Sequence, residues 1–187
     1  GFNSPIFFGI TITITIVGLL IYTLVYSDFQ IISSYAVKDG LTGLYTHQYF
    51  YDQLNALIND TSQPILFSLI MIDLDDFKSI NDGLGHSYGD ELIIDVSHRL
   101  LEATDENDFL ARFSGDKFII LTQNLKEEDY DGKIKRIQKV FSYPFTLAMR
   151  EFFITTSTGI VYVPKDGNTA QDIIRNVDAA MYAAKET

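Results

Sequence analysis

The chain has no cysteine and only three histidines among its 187 residues. Without cysteine there is neither a disulfide framework nor a thiolate metal site, a composition compatible with a reducing cytosol, and three histidines leave little for a histidine-rich metal centre. Basic residues are scarce as well: 14 Lys and Arg stand against 25 Asp and Glu, for a formal net charge of -11. Contact with a nucleic-acid polymer requires clustered Lys and Arg that release counterions from phosphates. The balance therefore argues against a polymer ligand and leaves room for a magnesium nucleotide. A third absence is positional, because no Asp, Glu, Lys or Arg occurs from Gly1 to Ser27. An uncharged appendage thus precedes one domain with enough chain for a full core.

The appendage contains an uninterrupted apolar run from Ile6 to Tyr26 of Ile, Leu, Val, Phe, Tyr, Thr and Gly. At ~1.5 Å per helical residue it spans roughly 30 Å of hydrocarbon, so residues 1–27 are expected to hold a transmembrane helix at about 6–26. Ile-Thr alternation from Ile10 to Ile16 is strand-like, but a lone strand in lipid leaves its backbone unpaired, whereas Thr hydroxyls in a helix bond carbonyls of the preceding turn. Residues 28–38, with Phe29, Ile32, Tyr35 and Ala36 at helical spacing, are expected to continue as a helical connector. A chain beginning with Gly rather than Met is expected to be a segment of a longer protein. No Lys or Arg near either end fixes the orientation of the span.

From Asp39 the pattern is that of a mixed α/β domain, residues 39–187, without a regular βαβ period. Thr46–Asn59 reads as its first helix, with Phe50, Leu54, Leu57 and Ile58 on one face, and Ser62-Gln63-Pro64 as a turn. Ile65–Leu74 is a nearly continuous apolar run suited to a central strand buried on both faces, ending in Asp73, Asp75 and Asp76. A helix opens at Gly85–Gly89 and runs to about Ala103. Leu110 to Leu121 reads as a hairpin whose tip is Ser114-Gly115-Asp116. A helix from about Glu127 to Phe141, a strand region Phe152–Val163 and a last helix Asn168–Lys185 complete the domain.

Single residues suggest chemistry only in combination. Asp73 closing a strand and Asp116 at a hairpin tip would meet at one sheet end if their strands were neighbours, offering hard oxygen ligands to Mg²⁺. Asn81 and Asp90 bracket Gly83, Gly85 and Gly89, where an amide and a carboxylate could read a purine edge and glycines would permit close approach. Each alone is equally a strand terminator, a turn or a helix start.

The ordered blocks are more specific: Asp39-Gly-Leu-Thr-Gly-Leu44, Ile72-Asp-Leu-Asp-Asp-Phe-Lys-Ser-Ile-Asn-Asp82, Gly85-His86 with Gly89-Asp90, Arg112-Phe-Ser-Gly-Asp-Lys-Phe118, Ser157-Thr-Gly-Ile160 and Asp178-Ala-Ala-Met-Tyr-Ala-Ala-Lys185. Over about residues 36–187 they resemble the GGDEF domain of diguanylate cyclases. That resemblance implies an α+β, nucleotidyl-cyclase-like fold, with a mainly antiparallel central sheet wrapped by helices. It also implies a dimer that condenses two GTP into cyclic di-GMP, each protomer holding one GTP and two metal ions. It assigns Asp73 and Asp116 to metal beside the Leu74 carbonyl, Asn81 and Asp90 to guanine, and Lys78 and Lys185 to phosphates.

Departures from the family pattern qualify the activity. The signature reads Ser114-Gly115-Asp116-Lys117-Phe118, in which Ser114 is a mild change and Lys117 replaces a carboxylate that should help hold metal. An ammonium repels a divalent ion by roughly 4 kcal/mol per unit charge at about 4 Å and an effective dielectric near 20. His47 and Gln48 stand where the family is basic. Of the family's product-inhibition site, Asp108 is kept and Arg136 matches a second arginine, but Asp105 takes the place of the first. The expectation is a membrane-anchored, catalytically degenerate domain on the cytoplasmic side of a bacterial cell membrane. It would serve as a regulatory or nucleotide-binding subunit for GTP or cyclic di-GMP, with Mg²⁺ accompanying bound nucleotide, a protein partner or a homodimer, and exopolysaccharide synthesis as the controlled process. An active cyclase and a purely protein-interaction scaffold are the alternatives.

Overall fold

The computed structural model describes residues 5–34, 37–60, 66–123 and 130–186, with side chains of the first helix described from Gly9 to Leu24. The chain forms two compact units, Gly1–Ala36 and Val37–Thr187. In the first, a single helix α1 (Pro5–Ser34) covers both the apolar run and most of the expected connector; Tyr35 and Ala36 lie outside the described residues. As the helical reading requires, Thr13 Oγ1 donates to the Gly9 carbonyl at 2.9 Å and Thr15 Oγ1 to that of Thr11 at 2.8 Å. Ile10, Ile14, Leu19 and Leu24 are exposed. Among the residues whose side chains are described, which in this helix are Gly9 to Leu24, no helical stretch is long and apolar enough to cross a membrane.

The second unit is built on a five-stranded sheet in the order β1-β3-β4-β2-β7. Its strands are β1 (Tyr45–Thr46), β2 (Phe67–Leu74), β3 (Asp108–Ser114), β4 (Lys117–Gln123) and β7 (Thr156–Val163). A separate hairpin joins β5 (Phe145–Leu147) and β6 (Arg150–Phe152). All pairings of the main sheet are antiparallel except β1 with β3. The helices are α2 (His47–Asn59), α3 (Phe77–Leu84), α4 (His86–Ala103), α5 (Tyr130–Lys139) and α6 (Ala170–Lys185).

Strand β2 explains its own apolar composition. All eight of its residues are buried, and period-two alternation sends Leu69 and Met71 to one core and Ile70, Ile72 and Leu74 to the other. The first core is closed by Phe50 and Leu54 of α2 and by Ile173, Val177 and Met181 of α6. The second is closed by Leu92, Val96 and Leu100 of α4 together with Phe145. Helix α6 approaches β7 so closely that a Cβ on Gly159 would lie 2.3 Å from the Val177 carbonyl oxygen, and glycine permits that contact.

Several expected boundaries move for identifiable reasons. Thr46 caps α2 rather than joining it, its hydroxyl accepting from the Tyr49 amide. Thr169 does the same for α6 through the Asp172 amide. Helix α3 is additional, lying within the stretch Asp76–Leu84 that reads chiefly as motif; its spaced Phe77, Ile80 and Leu84 pack on the α4 core. The region Phe152–Val163 is not one strand, because Phe152 pairs with Phe145 and only Thr156 onward joins the main sheet. The Ser62-Gln63-Pro64 turn, Ile65 and the start of the helix expected from Glu127 fall outside the described residues.

Candidate functional site

The alternation that builds the core also sets the polar sheet end. Asp73 follows Leu69 and Met71 in phase, so it emerges on the α6 side of the sheet, one step past the apolar core. On the neighbouring strands it faces Lys117 and Ser157 in register. Lys117 continues the Ile119 and Leu121 phase and points the same way. Lys185, from the last turn of α6, donates to Asp73 Oδ1 at 3.2 Å. The Lys117 ammonium lies 3.9 Å from Asp73 Oδ2 and 3.0 Å from Asp178 Oδ1 of α6. Asp73 is buried, and that burial, reinforced by the neighbouring Asp116 charge, raises its carboxyl above the ordinary value despite the hydrogen bond from Lys185. The Lys185 ammonium is itself held above its ordinary value: desolvation opposes protonation, but the bond to Asp73 outweighs it.

The signature turn is fixed by backbone and by one arginine. Gly115 sits at φ +34°, in the left-handed region that favours glycine. The Leu74 amide donates to the Asp116 carbonyl at 3.2 Å, tying the turn to the end of β2. Arg112 donates twice to the Gly115 carbonyl, at 3.0 and 2.8 Å, and once to Asp39 Oδ1 at 3.1 Å. The same Asp39 oxygen accepts from the Thr42 amide and hydroxyl. Burial tends to raise the Asp39 carboxyl, but bonds from Thr42 and Arg112 prevail and lower it. The Asp39-Gly-Leu-Thr block is therefore joined to the signature turn by a charged clamp. Beside Asp73, Asp75 accepts from the Ser157 hydroxyl at 2.8 Å.

Asn81 and Asp90 lie on the other flank, on α3 and α4, joined through Gly85 at φ +102°. A Cβ on Gly89 would come within 1.9 Å of Asn81 Oδ1, so the amide rests on the bare backbone of the residue preceding Asp90. Asp90 and Lys78 are exposed. Sequence spacing thus brings Asn81 and Asp90 to one helix corner, while Asp73, Lys117 and Lys185 gather at the sheet end.

A second charged cluster unites Asp105, Asp108 and Arg136, and it also contains Lys133, which belongs to none of the ordered sequence blocks. Lys133 of α5 donates to Asp105 Oδ2 at 2.8 Å and to Asp108 Oδ2. Arg136 donates to Asp105 at 2.7 Å and Thr122 Oγ1 to Asp108 Oδ1 at 2.9 Å. The side chains of Lys133 and Asp108 are each only 2% exposed. The sequence signal for Lys133 is weak: it lies one turn before buried Ile137, a spacing that marks α5's inward face without saying that a lysine would sit there.

At the sheet end the expected metal ligand Asp73 is engaged by two cations. Both Asp73 oxygens already meet an ammonium, and among the described residues no group of three or more acidic, His or Cys side chains could hold a metal.

A mainly antiparallel sheet flanked by helices on both faces makes the second unit a mixed α+β fold. Residues 36–187 match the family described as "Diguanylate cyclase, GGDEF domain", and the chain belongs to that family. It is 34% identical over 151 residues to the cyclic di-GMP phosphodiesterase PdeR of Escherichia coli K12, covering 81% of this chain but 23% of PdeR. A crystal structure of a sensory box/GGDEF family protein from Caulobacter crescentus superposes with a TM-score of 0.73 at 33% identity, over 81% of this chain and 99% of that one. The GGDEF domain of DgcB from Caulobacter crescentus, crystallised in complex with c-di-GMP, gives 0.73 at 26% identity, over 81% and 91% of the two chains.

Proposed function

We propose that this chain is a membrane-anchored, catalytically degenerate GGDEF domain that binds a guanine nucleotide, GTP or cyclic di-GMP, as a regulatory subunit, with exopolysaccharide synthesis as the process it controls. The Lys117 ammonium, 3.9 Å from Asp73, carries the reading. A carboxylate at this position would help hold a divalent ion, which would supply activation of the attacking hydroxyl; a cation there offers neither a ligand nor a base. What this chain's own residues do is bind: Asn81 and Asp90 present an amide and a carboxylate to the guanine edge, while Lys185 and the exposed Lys78 reach toward phosphates. Membrane attachment is supported by the uncharged stretch Ile6–Tyr26 and by the exposed apolar side chains of α1.

The test is product analysis of the intact chain incubated with GTP and Mg²⁺. The expected outcome is no cyclic di-GMP beyond a single turnover, and sustained accumulation would reverse the reading. Lys117→Glu is expected to raise turnover at least about a hundredfold, the usual size of a lost general-base or metal-activating group. Attachment is checked by fractionating cells that express the chain: recovery in the membrane pellet after a high-salt wash is expected.

A further inference from the structure

The nucleotide-binding reading leaves open what balances charge at the sheet end, and the following inference rests on that reading. Asp73 is buried between two ammonium groups, Lys185 at 3.2 Å on Oδ1 and Lys117 at 3.9 Å on Oδ2. Lys117 is not a loose surface cation. Its backbone is pinned opposite Asp73 by strand register, and its ammonium is held from the other side by Asp178 at 3.0 Å. Its side chain is 27% exposed, so it borders the open sheet end while both of its carboxylate neighbours stay in contact.

We infer that the Lys117 ammonium, tethered by Asp178, is the resident cation of this sheet end, so that the chain takes its guanine nucleotide without a divalent ion and with little preference for the number of phosphates. A divalent ion bridges carboxylate and phosphate oxygens because it carries charge enough for both. Lys117 carries one charge, already shared between Asp73 and Asp178, and has little left for a phosphate chain. Each added phosphate brings negative charge toward Asp73, Asp75, Asp116 and Asp178, which offsets what Lys185 and the exposed Lys78 supply. Affinity then comes from the base corner at Asn81 and Asp90, which GMP, GDP and GTP share.

Calorimetry on the intact 187-residue chain, with GTP, GDP and GMP each titrated in excess Mg²⁺ and again in EDTA, tests this. The six dissociation constants are expected to agree within about threefold, a spread below the tenfold that marks one specific interaction. GTP binding that appears only with Mg²⁺, or tightens tenfold or more with it, overturns the inference and leaves the nucleotide-binding reading standing. No heat with any nucleotide in either buffer overturns both. In Mn²⁺ titrations followed by electron paramagnetic resonance without nucleotide, the wild-type chain is expected to bind no ion at this sheet end, whereas Lys117→Glu gains one. If Lys117→Glu does not fold, Lys117→Gln is the substitute, and its GTP affinity is expected to become Mg²⁺-sensitive; Mn²⁺ uptake by the wild-type chain that Asp73→Asn abolishes is a contrary result.

Discussion

Two lysines in this domain sit between pairs of aspartates, and the surroundings make them different devices. Lys133 is enclosed with Asp108 beneath α5, and the carboxylate is further bonded by Thr122 and by the Asp105 amide. Lys117 stands at an open sheet end, 27% exposed, with its nearer partner Asp178 half exposed. A fully enclosed pair must have every donor and acceptor answered, because an unpaired buried charge is costly. At an open rim water answers for whatever the protein leaves out, and the residue is free to serve a ligand. Similar side-chain chemistry is therefore structural in one place and functional in the other.

The largest effect expected from breaking this contrast is on stability. Lys133→Met leaves the Asp108 carboxylate buried without its cation and is expected to cost about 3–5 kcal/mol in urea unfolding. Pairing it with Asp108→Asn should recover a large part of that loss by removing the stranded charge. Lys117→Met, by contrast, leaves buried Asp73 paired with Lys185 and half-exposed Asp178 to water, and is expected to change unfolding free energy by under about 1 kcal/mol. A loss at Lys117 equal to that at Lys133 would erase the distinction and make the sheet-end lysine a structural staple too.

The fold was legible where period and motif agreed. The eight buried residues of β2, the α4 stripe Leu92, Val96 and Leu100, and the meeting of Asp73 with the signature turn all follow from alternation, helical spacing and the order of the blocks. The clamp of Arg112 on Gly115 and Asp39 was not legible, since a contact across 73 positions has no local periodicity. Asp178 and Lys133 were hidden for a related reason. Asp178 lay in view within the last motif, yet its partner is set by how α6 lies across β7, a packing dictated by Gly159. Lys133 is buried only by tertiary packing, which propensity and composition do not foresee. The β5–β6 hairpin escaped because each of its strands has three residues, too few to display alternation.

The smallest effect, and the most discriminating in sign, is the pH dependence of stability around the carboxylate range. The Lys133 bond, followed by Arg136, holds the Asp105 carboxyl below its ordinary 3.8. Between that lowered value and 3.8 the unfolded chain binds more protons than the folded one. Asp105 therefore contributes stability that is present above 3.8 and lost as pH falls through its folded value. Asp73 has the opposite sign: burial raises it above 3.8, so just above that pH the folded chain binds more protons, and stability from this group falls as pH rises through its folded value. Unfolding free energies measured by urea across this pH range should separate the two. Asp105→Asn is expected to flatten the acid-side loss of stability, and Asp73→Asn to remove a decline above 3.8. If both variants shift the curve in the same direction, the contrast between a satisfied cluster and a charge-frustrated sheet end fails, because only a carboxylate whose partners leave its burial undercompensated gives the second sign.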